Sequence, residues 1–299
     1  DDSRIEGIAM RHILPISGKD SLWTAIVQKR RNPDLTYEAM FNPTGAETPE
    51  VDAWLDQASA YIGLTIHRIG ENLEAIIEEK GILPSPMVRY CTREAKIHPM
   101  ENWLGKDEAC IYYGIRADEK RSGYNNAARP NLHPIYPLIE CGMGIDDVWI
   151  GLDNVGLLPP AFFWQSLYDL TKQILGVYAD VLERIDPLTS RKLFAGRSRM
   201  NCSFCFFQRA YEWIWLLETH PDLYQKAVEI EANTGAANYT WRRRESLPEL
   251  ASKSVAIKRR RAKKIASLLL PQQTDMFEDD EEDIPDLLQV VSCGLFCGK

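Results

Sequence analysis

The spacing of apolar and polar positions predicts strands that alternate with helices over the first half of the chain. Short apolar runs rich in β-forming residues occur at residues 12–16, 37–41, 65–69 and 109–115. Between them, residues 51–62 repeat apolar side chains at intervals of three and four, which is typical of an amphipathic helix. This alternation predicts an α/β fold, with an open and mainly parallel sheet flanked by helices.

The first of these runs is expected to be a short strand, followed by a loop and then a helix. Pro15 cannot donate a hydrogen bond to a neighbouring strand, so the strand is predicted to end early. A Ser-Gly turn follows, and Leu22, Ala25 and Ile26 then fall at helical spacing.

After about residue 149 the pattern predicts helices, with candidates at 162–185 and 210–233. We therefore expect an α/β domain at 10–150, a helical part at 151–240 and a charged tail at 241–299. Residues 1–9 contain Ile5-Glu6-Gly7, which resembles the remnant of a protease site from an expression vector. On that interpretation Met10 is the native start.

Composition and charge narrow the function classes. A formal charge of −8 argues against a protein that coats nucleic acid over its whole surface, but it permits a local basic site. Residues 241–264 contain ten Lys or Arg against two acids, whereas 275–286 contain eight acids and no base. Such blocks are usually solvated or disordered. The alternatives are that the two blocks shield one another, and that basic residues within 242–264 contact DNA phosphates.

Apolar runs and cysteine usage predict a cytoplasmic protein. No run approaches the ~20 apolar residues needed to cross a bilayer, so no membrane span is predicted. Residues 1–9 also lack the apolar core of an export signal. In a reducing compartment, the Cys-x-x-Cys among the seven cysteines indicates metal or redox chemistry before structural disulfides.

A candidate phosphate-binding loop lies between the first strand and the first helix, at Ile16-Ser17-Gly18-Lys19-Asp20-Ser21. Small residues allow close approach of the backbone to a phosphate, a helix N-terminus presents N–H groups, and the lysine adds a positive charge. The spacing is not that of a Walker A loop. The alternative is an ordinary polar turn that caps the helix.

Five further motifs follow this loop in order. They are Thr44-Gly45-Ala46-Glu47-Thr48; Cys91-Thr92-Arg93-Glu94-Ala95-Lys96 with Pro99; Gly114-Ile115-Arg116-Ala117-Asp118-Glu119 with Arg121; Pro137-Leu138-Ile139 with Asp146-Asp147-Val148-Trp149; and Cys202-Ser203-Phe204-Cys205. Together the six motifs resemble those of the phosphoadenylyl-sulfate (PAPS) reductase and PP-loop ATP pyrophosphatase family, which has an adenine nucleotide alpha hydrolase-like, Rossmann-type fold. Ile16 and Ser17 depart from the family's loop, which has Ser and Gly there.

The resemblance implies that ATP and Mg²⁺ bind at the carboxyl edge of the sheet, with Lys19, Asp20 and Arg116 as catalytic residues. The nucleotide-binding set it implies is Ser17, Gly18, Lys19, Asp20, Ser21, Thr44, Gly45, Glu47, Arg93, Lys96, Gly114, Arg116 and Arg121. Instead of binding the nucleotide, each of four basic residues in this set could form an ion pair with a nearby acid. They are Arg93, Lys96, Arg116 and Arg121.

The spacing of Cys202 and Cys205 allows two thiolates to reach one metal ion. The resemblance implies a [4Fe-4S] cluster, with Cys91 as a third ligand and Cys141 or Cys110 as a fourth, or with one iron left open. A plain buried thiol is the other interpretation of Cys110. For the Cys-x-x-Cys pair, burial as small apolar side chains and a zinc site remain alternatives.

The C-terminal Ser292-Cys293-Gly294-Leu295-Phe296-Cys297 resembles the Glu-Cys-Gly-x-His end of sulfonucleotide reductases. The resemblance implies that Cys293 is a nucleophile toward the sulfate sulfur, and Cys297 would be a resolving partner. Ser292 and Phe296 replace the family's Glu and His, so no imidazole is available to lower the thiol pKa. A flexible tail with two incidental thiols is the alternative.

Three functions remain open at this point. The one we favour is an ATP pyrophosphatase that adenylates a substrate for sulfur transfer. Its nearest resemblance is to the enzymes of DNA phosphorothioation, with a cysteine desulfurase or another sulfur donor as partner. The second is a PAPS or adenylyl-sulfate reductase that uses Cys293. The third is a non-catalytic, nucleotide-binding assembly subunit.

Overall fold

In the computed structural model, which describes residues 10–120, 123–159, 163–200, 202–234 and 239–270, five strands form one parallel sheet. The strands are β1 (Arg11–Pro15), β2 (Tyr37–Phe41), β3 (Ile66–Arg68), β4 (Ala109–Tyr112) and β5 (Leu132–Ile135). Their order across the sheet is β3-β2-β1-β4-β5, and every neighbouring pair is parallel. The predicted α/β fold is confirmed.

The central strand β1 lies between β2 and β4, with Ile13 opposite both Glu38 and Ile111. It ends at Pro15, as the missing N–H of proline predicts. Strand β5 was not predicted from the sequence. It is four residues long and contains Pro134, which an edge strand tolerates because one side of its backbone needs no partner.

Helices cover the sheet and build the C-terminal part. They are α1 (Lys19–Arg31), α2 (Glu50–Ile62), α3 (Leu73–Lys80), α4 (Tyr90–Thr92), α5 (His98–Leu104), α6 (Pro137–Glu140), α7 (Ile145–Asn154), α8 (Gln165–Leu175), α9 (Val181–Arg184), α10 (Pro187–Leu193), α11 (Ala210–Thr219), α12 (Pro221–Asn233), α13 (Leu247–Ser252) and α14 (Ser254–Leu269). A π-helical segment, Arg93–Ile97, joins α4 to α5, and a 3₁₀ turn, Gly176–Tyr178, follows α8.

Two helices that were predicted as continuous are each divided. The candidate at 162–185 breaks at Gly176, whose φ of +56° lies in the left-handed region that glycine adopts readily. The candidate at 210–233 breaks before Pro221, which begins α12, because proline cannot continue the preceding helix.

One hydrophobic core runs from the sheet into the helical part. Trp54, Trp164 and Trp213 are fully buried in it. The indole of Trp54 on α2 donates to the carbonyl oxygen of Leu157 at 2.9 Å, which ties the first half of the chain to the second. Among the described residues, no helix is both long enough and apolar enough to cross a membrane.

Candidate functional site

The loops that follow β1 and β4 meet at the carboxyl edge of the sheet. The chain runs from β1 through β2 to β3 on one side and then crosses to β4 on the other, so strand order reverses between β1 and β4. Open α/β sheets bind ligands at such a reversal. At Gly114 a side chain would have no room, because a Cβ atom there would lie 2.7 Å from Ser21 N and 2.8 Å from the carbonyl carbon of Asp20.

The candidate phosphate loop is held by the hydroxyl of Ser21. This hydroxyl accepts hydrogen bonds from Ser17 N at 2.8 Å and Gly18 N at 3.1 Å, and it donates to Gly18 O at 3.0 Å. Two N–H groups that the sequence assigns to a phosphate are therefore directed at Ser21 in this conformation. Gly18 has an extended φ of 166°, which any residue can adopt.

Arg116 joins the two loops from a buried position. Its side chain is 2% exposed, and its guanidinium donates to Asp20 Oδ1 at 3.0 Å and to Asp118 Oδ1 at 2.9 Å, with Glu119 Oε1 at 2.9 Å. Three carboxylates thus surround one cation. These ion pairs show that Arg116 holds Asp20 in place in this conformation, and its contact with a phosphate stays a prediction.

Opposite charges offset the effect of burial on the pKa values of Asp20 and Arg116. Burial by itself raises the pKa of Asp20, but the charges of Lys19 and Arg116 outweigh it and hold that pKa below the ordinary value. Burial also works against the charged form of Arg116, yet the three carboxylates, Asp20 foremost, raise its pKa. Lys19 Nζ lies 3.0 Å from Asp20 Oδ2, and the Lys19 side chain is 9% exposed.

The Thr-Gly-x-Glu turn after β2 is closed by Glu47. Its carboxylate accepts hydrogen bonds from Thr44 N at 2.9 Å and from the Thr44 hydroxyl at 2.6 Å. Gly45 has a φ of +73°, which favours glycine. The same hydroxyl lies 3.2 Å from Cys202 Sγ, and Ser203 N donates to the carbonyl oxygen of the turn's third residue. The turn therefore supports the Cys-x-x-Cys segment.

Arg93 and Lys96 lie in the π-helical segment, a form often found at functional sites. The Arg93 side chain is 63% exposed and lies 3.6 Å from Glu94, which also pairs with Lys80 at 3.0 Å. Lys96 lies near enough to the Cys91 thiol for its charge to lower that thiol's pKa, although burial raises the pKa more strongly. The ion-pair alternative thus holds for Arg93, while Lys96 lies close enough to Cys91 to influence its thiol.

Cys91, Cys202 and Cys205 lie near one another. Burial raises the pKa of Cys91, and the nearby Cys202 raises it further. The pKa of Cys205 is raised to about 11, first by burial and then by Cys202 and Cys91. The described residues nevertheless contain no group of three or more His, Cys, Asp or Glu arranged to hold a metal ion.

Cys141 lies near the C-terminal end of α1, whereas Met200, two residues before Cys202, lies near Gly18 at the N-terminal end. The role of Cys141 as a fourth cluster ligand stays a prediction. Cys141 is exposed at the end of α6, where Glu140 pairs with Arg31 at 2.9 Å. Arg31 ends α1, about 18 Å along the helix from Lys19. Cys110 lies within β4, and burial raises its thiol pKa, as expected of a plain core cysteine.

Two buried ionic residues beneath the Cys-x-x-Cys turn were not singled out from the sequence. Arg197 is 3% exposed and donates to the carbonyl oxygen of Cys202 at 2.8 Å. Glu212, also 3% exposed, accepts from Ser198 N at 2.6 Å and Arg209 N at 2.8 Å. Charged residues are seldom fully buried, so their sequence pattern predicts a surface position. The only available signal was their closeness to the cysteines along the chain.

Three residues proposed from the sequence, Arg121, Cys293 and Cys297, lie outside the described residues, as does the acidic block at 275–286.

No family model and no curated protein matches the sequence. Among solved structures, the chain is similar to phosphoadenylyl-sulfate (PAPS) reductase from Candida auris in its phosphate complex. The identity is 12% and the TM-score 0.38, over 50% of this chain and 74% of that one. A likeness at this level does not establish a family or an activity.

Proposed function

We propose that the chain binds an adenine nucleotide where β1 gives way to α1, and that it acts as an ATP pyrophosphatase. The observation that supports this most directly is the meeting of the Ile16–Ser21 loop with Gly114 at the point where strand order reverses. Lys19 places a positive charge beside the N-terminus of α1, a combination suited to phosphate.

In the proposed reaction an oxygen of the acceptor attacks the α-phosphorus of ATP. The bond from that phosphorus to the bridging oxygen breaks, pyrophosphate leaves, and the acceptor gives up its proton if it carried one. A sulfur nucleophile from a cysteine desulfurase or another donor then displaces AMP, which leaves sulfur on the acceptor. DNA is the acceptor we favour.

Asp20 and Asp118 would hold Mg²⁺, which usually takes one or two protein carboxylates together with phosphate oxygens. Both side chains remain partly exposed, at 23% and 38%, beside the loop. The ion would neutralise charge on the phosphates. The contribution of Arg116 would be to fix the Asp20 carboxylate in place.

Release of pyrophosphate from ATP tests this proposal. Asp20→Asn is expected to slow release about 100-fold, because the carboxylate charge beside the phosphates is lost. Asp169→Asn, on the exposed face of α8, is the matched control and should leave release unchanged. Sulfite release from adenylyl sulfate, lost in Cys293→Ser, would instead identify a reductase. Tight ATP binding with neither activity would indicate a non-catalytic subunit.

The iron–sulfur cluster remains a prediction, and no step of the proposed reaction depends on it. An anaerobic preparation is expected to hold ~4 Fe per chain. Cys202→Ser should lower the iron content sharply, whereas Cys141→Ser should not, because Cys141 lies at the far end of α1. A preparation with one zinc per chain and no iron would show that the site binds zinc and not an iron–sulfur cluster.

A further inference from the structure

Two exposed arginines and two half-buried phenylalanines form a patch beside Cys205, here named the Arg–Phe surface: Arg89, Arg199, Phe206 and Phe207. The guanidinium carbons of Arg89 and Arg199 lie 5.2 and 5.5 Å from the centroid of the Phe207 ring. The rings of Phe206 and Phe207 lie 4.3 Å apart. The two arginines come from the chain segments that precede Cys91 and Cys202, and Arg199 and Phe207 border one small pocket with Cys205.

The charges of this surface remain open to a ligand. Both arginines are exposed, and among the described residues neither is paired with a carboxylate. Other arginines near the site are already engaged: Arg93 lies beside Glu94, Arg116 is surrounded by carboxylates, and Arg197 is buried under Cys202. A local excess of positive charge therefore stands out on a chain with a net charge of −8.

A polar atom next to this surface also lacks a partner. Arg199, Cys205 and Phe207 border a small pocket together with Gln208. Gln208 is 8% exposed, and its Oε1 has no hydrogen-bond partner among the described residues. This oxygen is itself buried, so it is an unsatisfied acceptor beneath the Arg–Phe surface and not a contact for a base.

We propose that the Arg–Phe surface binds a single-stranded nucleic acid, whose phosphates contact Arg89 and Arg199 and one of whose bases stacks on Phe207. Arginine forks match phosphate oxygens, and an unpaired base can stack on the part of the Phe206 and Phe207 rings that remains exposed. This rests on the proposed function, because the surface would deliver an acceptor to the nucleotide site and the cysteines.

The basic segment at 242–264 is the other candidate surface for a nucleic acid, but several of its charged side chains are paired or buried within the protein. Lys258 pairs with Glu218 at 2.6 Å, and Arg242 pairs with Glu245 at 3.1 Å. Arg261 is buried, with its guanidinium 3.7 Å from the Tyr211 ring centroid. In the middle of α14, Arg259 and Arg260 remain exposed and provide the matched comparison.

Binding of labelled 12-nucleotide single strands of DNA and of RNA, followed by fluorescence anisotropy over a range of salt, tests the proposal. Arg89→Gln with Arg199→Gln should reduce the slope of log K against log salt by about 1.4, the value for two phosphate contacts on a single strand. Phe207→Leu should weaken binding about tenfold with the slope unchanged, through lost stacking. Arg259→Gln with Arg260→Gln should change neither quantity, and thermal unfolding of each variant checks its fold.

The possible outcomes are distinct. Loss of affinity in the Arg259 and Arg260 pair alone would overturn the proposal in favour of α14, and tight binding of an acidic peptide but no oligonucleotide would assign the surface to a protein. If the wild-type protein binds ATP but no single strand, this inference fails and the nucleotide site stands. If it binds neither, both fail. Preference for DNA or RNA identifies the acceptor.

Discussion

Arg116→Met is expected to lower the free energy of unfolding by about 3–5 kcal/mol, since it leaves a cluster of carboxylates without their buried cation. Asp20, Asp118 and Glu119 all lie within 3.0 Å of the guanidinium, which is 2% exposed. Urea denaturation at pH 7 measures the change. Because Asp20 would also lose its position, pyrophosphate release should fall together with stability.

An exposed pair provides the control for Arg116. Arg31 and Glu140 are 2.9 Å apart but 42% and 46% exposed, so Arg31→Met should cost less than about 1 kcal/mol. Equal losses of stability in the two variants would show that burial does not increase the contribution of the Arg116 cluster.

Lowering the pH should remove the difference in the free energy of unfolding between the wild-type protein and Arg116→Met. The folded pKa of Asp20 lies below its ordinary value of 3.8. Its pairing therefore stabilises the fold fully above that ordinary value and ceases to do so as the pH falls through the lower, folded pKa. Denaturation curves of the two proteins should converge over that interval. A gap that stays constant into strong acid would contradict the role given to Asp20.

Gly114→Ala is expected to lower the free energy of unfolding by about 1–3 kcal/mol, because the added methyl group meets rigid backbone. Its Cβ would lie 2.7–2.8 Å from backbone atoms of Asp20 and Ser21, so the candidate phosphate loop has to move. Displacement of catalytic groups by about 1 Å can cost roughly 100-fold in rate, and we expect pyrophosphate release to fall by that order.

Gly18→Ala is the matched control within the same loop. Gly18 has an extended backbone, and the nearest atom to an added Cβ is Met200 Cβ at 3.9 Å. Its stability should change by no more than about 0.5 kcal/mol. If Gly18→Ala were the more destabilising of the two, the close approach of Gly114 to the loop would be refuted.

The local pattern of apolar residues was sufficient to predict most strands of the sheet. Four of the five strands begin within one residue of their predicted start, because buried parallel strands are short apolar runs. Strand β5 escaped prediction because Pro134 is acceptable only at an edge, and sequence does not reveal which strand is at the edge. The breaks at Gly176 and Pro221 were visible as residue types but were outweighed by the apolar spacing around them.

For the candidate site, the sequence indicated which residues belong to it but not which contacts they make. Arg116 was predicted to contact a phosphate, and its bond to Asp20, which joins two loops, was not foreseen. Cys141 was assigned to the cysteine set and lies beside Arg31 at the opposite end of α1. Arg197 and Glu212 were overlooked, because no local pattern distinguishes a buried ionic residue from a solvated one.

The α/β class and the succession of strand, turn and helix at the start of the chain were determined by the sequence alone. These features depend on neighbours along the chain, whose spacing expresses helical and strand periodicity. Tertiary structure decided which charges are paired, which cysteines meet and where an exposed arginine pair lies. Those relations join segments about 95 to 160 residues apart, and only the packing of the whole chain brings them within a few ångströms.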